Sequence, residues 1–74
     1  MIIMKRMFNY DVDIHFKGIG WDTYTVQADC IENARYKAIG RVIEETYELC
    51  KNNAIDEMRI YREGTDKLLK EYSI

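Results

Sequence analysis

The sequence predicts an α+β protein in which two β-hairpins flank one long helix, in the order ββαββ. Two stretches, 8–28 and 57–72, place apolar residues at alternate positions, which is typical of strands with one buried face. Between them, from about residue 30, the apolar residues follow a 3.6-residue period. These patterns predict a four-stranded, mostly antiparallel sheet with the helix packed on one face. With 74 residues, we expect one domain over residues 1–74.

The first hairpin has the clearest pattern. Residues 8–17 alternate apolar and polar side chains, residues 18–20 form a glycine-containing loop, and residues 21–28 resume the alternation. A three-residue loop at 18–20 sets Ile14 opposite Tyr24 and Val12 opposite Val26. This register gives the hairpin one apolar face. The predicted apolar positions are Phe8, Tyr10, Val12, Ile14, Phe16, Tyr24, Val26 and Ala28.

The helix is predicted to begin at about Cys30. Asp29 and Glu32 have the spacing of a capping box, which satisfies free amide groups in the first turn. Asn52 and Asn53 are suited to end the helix, because asparagine tolerates the left-handed conformation found there. Its predicted apolar side consists of Ile31, Ala34, Ala38, Ile39, Val42, Thr46, Leu49 and Cys50.

The second hairpin begins with a strand at 57–62, in which Met58 and Ile60 point inward and Arg59 and Tyr61 outward. Residues 63–66 resemble a turn and lead into a strand at 67–72. Leu68 and Leu69 are adjacent, so the alternation leaves open which of them faces the core.

The charge balance disfavours a general nucleic-acid binder. Eleven basic and thirteen acidic residues leave a net charge of −2, and no segment carries one sign alone. No apolar run approaches the ~20 residues of a membrane helix, and Lys5 and Arg6 interrupt the stretch where a secretory signal has its apolar core. We therefore expect a cytoplasmic protein with no membrane association.

Asp11, Asp13 and His15 are the residues most suggestive of chemistry. All three side chains leave the same face of one strand, but successive positions on that face are about 6.8 Å apart and converge poorly on one cation. His15 also has two aspartates for acid–base pairing, on a face expected to be flat and without a pocket. We expect no catalytic residues, no metal site and no cofactor, with a metal-dependent enzyme as the most distant alternative.

Aromatic and charged residues outside the predicted core favour a protein interface. Trp21 lies on the outer face of the sheet, whereas Tyr36, Ile43 and Tyr47 lie at the margin of the apolar helix side, where they either contact a partner or wrap a small core. The predicted partner-binding residues are Asp11, Asp13, His15, Trp21, Tyr36, Tyr47, Arg59 and Tyr61.

The alternative function is a small nucleic-acid-binding or regulatory domain. Nucleic-acid binding is considered because exposed Tyr61 beside Arg59 on a four-stranded sheet resembles a base-stacking platform. Against it, Lys37 and Arg41 on the helix are interleaved with glutamates, which interrupts any phosphate-binding stripe.

The predicted first strand is longer than its partner. The register above leaves residues 1–9 unpaired, and these require either the second hairpin or a second copy of the chain. A small domain has little core, so we expect a homodimer that uses this segment, with Ile2, Ile3, Met7 and Phe8 at or near the contact.

The segment 24–38 contains the pattern V-x-A-x(5)-A-x(3)-A, beginning at Val26. In this pattern, in length and in element order, the chain resembles small phage-encoded anti-defence proteins, including ββαβ and ββαββ anti-CRISPR proteins. The resemblance implies a non-enzymatic, stoichiometric inhibitor that binds a host immune (CRISPR-type) effector complex in the host cytoplasm. It assigns no functional residue, because a strand, a cap and a small-residue helix face also explain the pattern.

Overall fold

A computed structural model describes residues 6–51 and 54–73, with side chains for 6–45 and 54–73. The elements are β1 (Phe8–Phe16), β2 (Gly20–Ala28), α1 (Ile31–Lys51), β3 (Ile55–Arg62) and β4 (Leu68–Ser73). They form one open sheet with strand order β2-β1-β3-β4 and antiparallel pairing throughout, with α1 on one face. The predicted ββαββ fold is confirmed.

The first hairpin has a different register from the predicted one. Val12 lies opposite Tyr24 and Phe16 opposite Gly20, a shift of two residues from the predicted pairs. The loop is therefore residues 17–19, closed by a hydrogen bond from the Ile19 amide to the Phe16 carbonyl, with Gly18 at φ 75°. A positive φ at the third residue of this turn favours glycine. Because the shift is even, every side chain keeps its predicted face.

The helix begins one residue after Cys30, close to the predicted start. Asp29 precedes it and its carboxylate accepts a hydrogen bond from the Asn33 side chain at 2.6 Å, on the first turn. The helix ends at Lys51, and the predicted terminators Asn52 and Asn53 lie outside the described residues, as do the side chains of Thr46, Leu49 and Cys50.

The core lies between α1 and the inner face of the sheet, the face that the helix covers. Small helix residues let the helix backbone approach the strands closely, and the larger side chains come from the sheet. No buried residue among those described is polar or charged. The buried residues are Tyr10, Val12, Ile14, Phe16, Tyr24, Val26, Ala28, Ala34, Ala38, Val42, Met58 and Ile60.

Irregular pairing between β3 and β4 settles the choice between Leu68 and Leu69. Ile60 pairs with Lys70 but Tyr61 pairs with Leu68, so Leu69 is one extra residue, a β-bulge. Leu69 packs against the core, whereas Leu68 is 44% exposed.

Tyr72 joins β4 to the helix. Its hydroxyl donates a hydrogen bond to Glu32 Oε1 at 2.5 Å, and the Arg35 guanidinium lies 4.4 Å from its ring centroid. Partial burial, followed by the hydrogen bond to the Glu32 carboxylate, raises the pKa of Tyr72 to about 12.

Along the free edge of β2, side chains form hydrogen bonds with backbone groups. Arg41 Nη1 donates to the Thr25 carbonyl at 2.9 Å and Lys37 Nζ to the Gln27 carbonyl at 2.6 Å. The Thr23 amide donates to the carboxylate of Asp22 at 2.9 Å. An edge whose backbone groups already have partners is a poor template for another strand.

The expectation that residues 1–9 lack a partner strand is wrong for Phe8 and Asn9, which pair with Ala28 and Gln27 of β2. From Tyr10 onward, β1 also pairs with β3, so it is an interior strand and offers no edge to a second copy. Ile2 and Ile3 lie outside the described residues, and Met7 is 43% exposed. Within the described part of the chain, no helix has the length and apolar character required to cross a membrane.

Candidate functional site

The outer face of the sheet, opposite α1, carries polar and aromatic side chains in three cross-strand rows. Strand alternation places these residues on one surface, because the core residues between them point to the helix. The rows, in the order β2, β1, β3, are Trp21–His15–Glu57, Thr23–Asp13–Arg59 and Thr25–Asp11–Tyr61.

Two threonines of β2 orient the aspartates of β1. Thr23 Oγ1 donates to Asp13 Oδ1 at 2.7 Å, and Thr25 Oγ1 donates to Asp11 Oδ1 at 2.8 Å. Each bond joins residues directly opposite in the ladder, where side chains are closest. Asp11 and Asp13 are therefore half-buried, whereas their outward position in the alternation indicates exposed side chains.

His15 is held by an aspartate that the sequence pattern did not indicate. Between the pairs His15–Glu57 and Phe16–Ile55, β3 contains one extra residue, Asp56. This bulge brings the Asp56 carboxylate to 2.6 Å from His15 Nδ1. A carboxylate only accepts, so Nδ1 carries the proton of this bond. Nε2 of His15 has no hydrogen-bond partner among the described residues.

Trp21 and Arg59 stack at the same end of the face. The Arg59 guanidinium lies 4.6 Å from the centroid of the Trp21 ring, a cation–π geometry. The centroid of the His15 ring lies 5.0 Å from that of the Trp21 ring. Arg59 Nη2 donates to Glu57 Oε1 at 3.0 Å, and Arg59 Nε lies 3.9 Å from Glu71 Oε2. Desolvation lowers the pKa of Arg59, but Glu57, Glu71 and Tyr61 together raise it, and the net shift is upward. Trp21 nevertheless remains 46% exposed.

A shallow groove of about 360 Å³ lies beside this cluster. The face was expected to be flat, but the turn after β3 adds a rim that flat strands lack. The groove is lined by Asp11, Asp13, Thr23, Tyr61, Thr65 and Asp66.

The outer face is acidic. The outward positions of the described strands and the β3 bulge carry five carboxylates and a single guanidinium, that of Arg59. Arg59 is itself shared by two of them, and Asp66 adds a further carboxylate at the groove rim. The five carboxylates are those of Asp11, Asp13, Asp56, Glu57 and Glu71.

Six of the eight predicted partner-binding residues meet on this surface: Asp11, Asp13, His15, Trp21, Arg59 and Tyr61. Tyr36, although 60% exposed, is on the helix and belongs to the opposite layer, so it cannot act with them. The side chain of Tyr47 lies outside the described residues.

Asp56, Glu57 and Glu71 were absent from the predicted set. The bulge that places Asp56 left a trace in the sequence: Ile55 and Met58 are three residues apart, yet both pack inward. Two inward residues of one strand at an odd spacing require an extra residue between them.

The hydrogen-bonded His15–Asp56 pair holds an imidazole in one tautomer, but no hydroxyl or thiol among the described residues is hydrogen-bonded to it. Within the same residues, no group of three or more histidine, cysteine, aspartate or glutamate side chains is arranged to hold a metal ion. The arrangement is suited to recognition by contact: an exposed aromatic, a stacked guanidinium and oriented carboxylates.

Comparison of the chain with protein-family models, with curated proteins and with solved structures found no match.

Proposed function

We propose that this protein is a non-enzymatic protein-binding module whose docking surface is the outer face of the sheet. The observation that carries the proposal is the half-exposed Trp21 with Arg59 stacked against it. Tryptophan and arginine are, with tyrosine, the residues most enriched among those that contribute most to binding at protein interfaces. The helix occupies the other face, so the core does not need Trp21.

The resemblance to phage-encoded anti-defence proteins makes a host immune effector complex of the CRISPR type the first partner to test. On this proposal the protein is a stoichiometric inhibitor that acts in the host cytoplasm. Self-association stays a separate prediction, which sedimentation equilibrium across a concentration series tests.

The alternative, binding of nucleic acid, is disfavoured by the charge of the same surface. Tyr61 faces outward next to Asp11 in the ladder, and the only guanidinium on the outward strand positions described is shared by Glu57 and Glu71. Phosphate groups approaching this face meet carboxylates of the same sign.

Affinity capture from bacterial lysate, with and without nuclease, tests the proposal. Trp21→Ala is compared with Tyr36→Ala, because both residues are exposed aromatics but lie on opposite layers. Loss of an interface tryptophan costs about 2 kcal/mol or more, so we expect Trp21→Ala to weaken capture by roughly thirtyfold. Tyr36→Ala should capture the same partner as the wild-type protein.

Circular dichroism melting of both variants serves as the folding control. Capture that depends on nucleic acid, or capture retained by Trp21→Ala and lost by Tyr36→Ala, would contradict the proposal. The first result would indicate the nucleic-acid alternative, and the second would move the docking surface to the helix side.

A further inference from the structure

We infer that the partner docks a basic protein surface on the outer face, with its lysine or arginine side chains directed at the groove lined by Asp11 and Asp13. This inference rests on the proposed function and adds the chemistry of the partner. It follows from the charge on the face, from the orientation of the two aspartates, and from the position of Trp21 next to them.

The charge on the face is not balanced by the residues that the structure describes. The single guanidinium on the described outward strand positions is that of Arg59. It forms an ion pair with Glu57 and lies near Glu71. Asp11 and Asp13 form no ion pair with a described cation and accept only uncharged threonine hydroxyls. A cationic partner therefore gains attraction from carboxylates that form no ion pair with a described residue.

The two aspartates are already oriented before a partner arrives. In each, Oδ1 accepts a threonine hydroxyl, so the side chain is held while Oδ2 keeps its acceptor capacity. Holding the carboxylates in place reduces the entropy lost on binding. The ring of Tyr61 lines the same groove, where it offers an apolar wall to the methylene stem of a lysine or arginine.

The same charges disfavour the other occupants of this face. A second copy would place this acidic face against the same acidic face, since a two-fold interface joins identical patches. Nucleic acids and anionic lipid headgroups carry the same sign as the face. A basic protein surface has the complementary charge and also offers apolar contact for Trp21.

The test uses an octalysine peptide as the cationic probe and oligothymidylate as the nucleic-acid probe, each titrated into the full chain at low ionic strength. Two charge-matched double variants are compared. Asp11→Asn with Asp13→Asn removes two charges from the groove and leaves each threonine an acceptor; Glu44→Gln with Glu45→Gln removes two charges from the exposed helix surface.

We expect octalysine to shift the Trp21 indole resonance saturably, with a Kd about fivefold or more higher in the aspartate pair variant and changed less than about twofold in the glutamate pair variant. Equal weakening in both variants would show that the probe responds to net charge alone, and would overturn the inference. A stronger response to oligothymidylate would overturn it in favour of nucleic acid. A Trp21 shift that depends only on protein concentration would overturn it in favour of a second copy.

The captured partner separates failure of this inference from failure of the proposed function. If Trp21→Ala loses the partner and the aspartate pair variant keeps it with unchanged salt dependence, the proposed docking surface is retained. The inference that the partner is basic is then wrong. If Trp21→Ala keeps the partner, the proposed function itself falls.

Discussion

The two faces of the sheet are built from the same strands but differ in role: the inner face stabilises the fold, and the outer face is available for binding. On β1, Ile14 is fully buried against the helix, while the adjacent Asp13 points outward and accepts a hydrogen bond from Thr23. The inner face contains no buried polar residue among those described, and the outer face carries carboxylates, a tryptophan and a stacked guanidinium. The alternation of one strand thus separates the residues that stabilise the fold from those that are free to bind.

The largest expected effect comes from the inner face. Ile14→Ala removes a fully buried side chain and leaves a cavity, so we expect the free energy of unfolding to fall by about 2–5 kcal/mol. Urea denaturation followed by circular dichroism measures this loss. A loss below about 1 kcal/mol would mean that the site collapses around the smaller side chain, and the contrast between the faces would be weaker than the burial indicates.

A smaller loss of stability is expected when the hydrogen-bonded pair of the outer face, His15 and Asp56, is broken. Asp56→Asn replaces the acceptor of the His15 Nδ1 bond by a neutral one, and we expect a loss of about 0.5–1.5 kcal/mol. The His15 ring contacts the only tryptophan, so Trp21 fluorescence should change in the folded protein as well. Unchanged stability and fluorescence would show that the bulge does not hold the imidazole.

The hydrogen bond between Tyr72 and Glu32 joins β4 to the helix, and its contribution to stability should be lost at alkaline pH. The folded pKa of Tyr72 is about 12, above the ordinary value of 10.0, so the folded state holds this proton more tightly than the unfolded state. The contribution is complete below pH 10 and is lost as the pH rises towards 12. We expect Glu32→Gln to lower the pKa of Tyr72, measured by NMR titration, and to reduce the alkaline loss of stability. An unchanged pKa would show that Glu32 does not raise it and would leave burial as its main cause.

The smallest effect is expected at Asp13. Asp13→Ala removes one exposed hydrogen bond with Thr23 and leaves no cavity in the core, so the free energy of unfolding should change by about 0.5 kcal/mol or less. Thermal melting beside Ile14→Ala, one residue away, makes the comparison direct. A loss of several kcal/mol would show that the outer face also stabilises the fold.

The fold was largely predictable because local signals agreed with one another. Alternation in β1 and β2 placed the apolar side chains other than Trp21 on the inner face, and the helical period placed Ala34, Ala38 and Val42 beneath them. The register error of two residues left these faces intact. A side-chain period of two makes the face insensitive to an even slip, while the pairing partners change.

The candidate site was predictable in part. Six outward residues were identified from alternation, but their bonding was not, since it depends on which residues the register makes neighbours. Thr23 binds Asp13 and not His15 because the true turn is residues 17–19. Tyr36 was predicted at the margin of the helix, where it lies, but it was placed in the same partner-binding set as residues of the opposite layer.

The sequence by itself determined the elements, their order, the apolar face of each strand and the polar character of the opposite face, because these follow from side-chain periodicity within one segment. Only the tertiary structure decided the strand order, the two bulges, the neighbours of Arg59 and the contact of His15 with Asp56. His15 and Asp56 are 41 positions apart in the chain, and only the pairing of β1 with β3 brings them together. Such contacts depend on how separate segments pack, which periodicity within one segment does not specify.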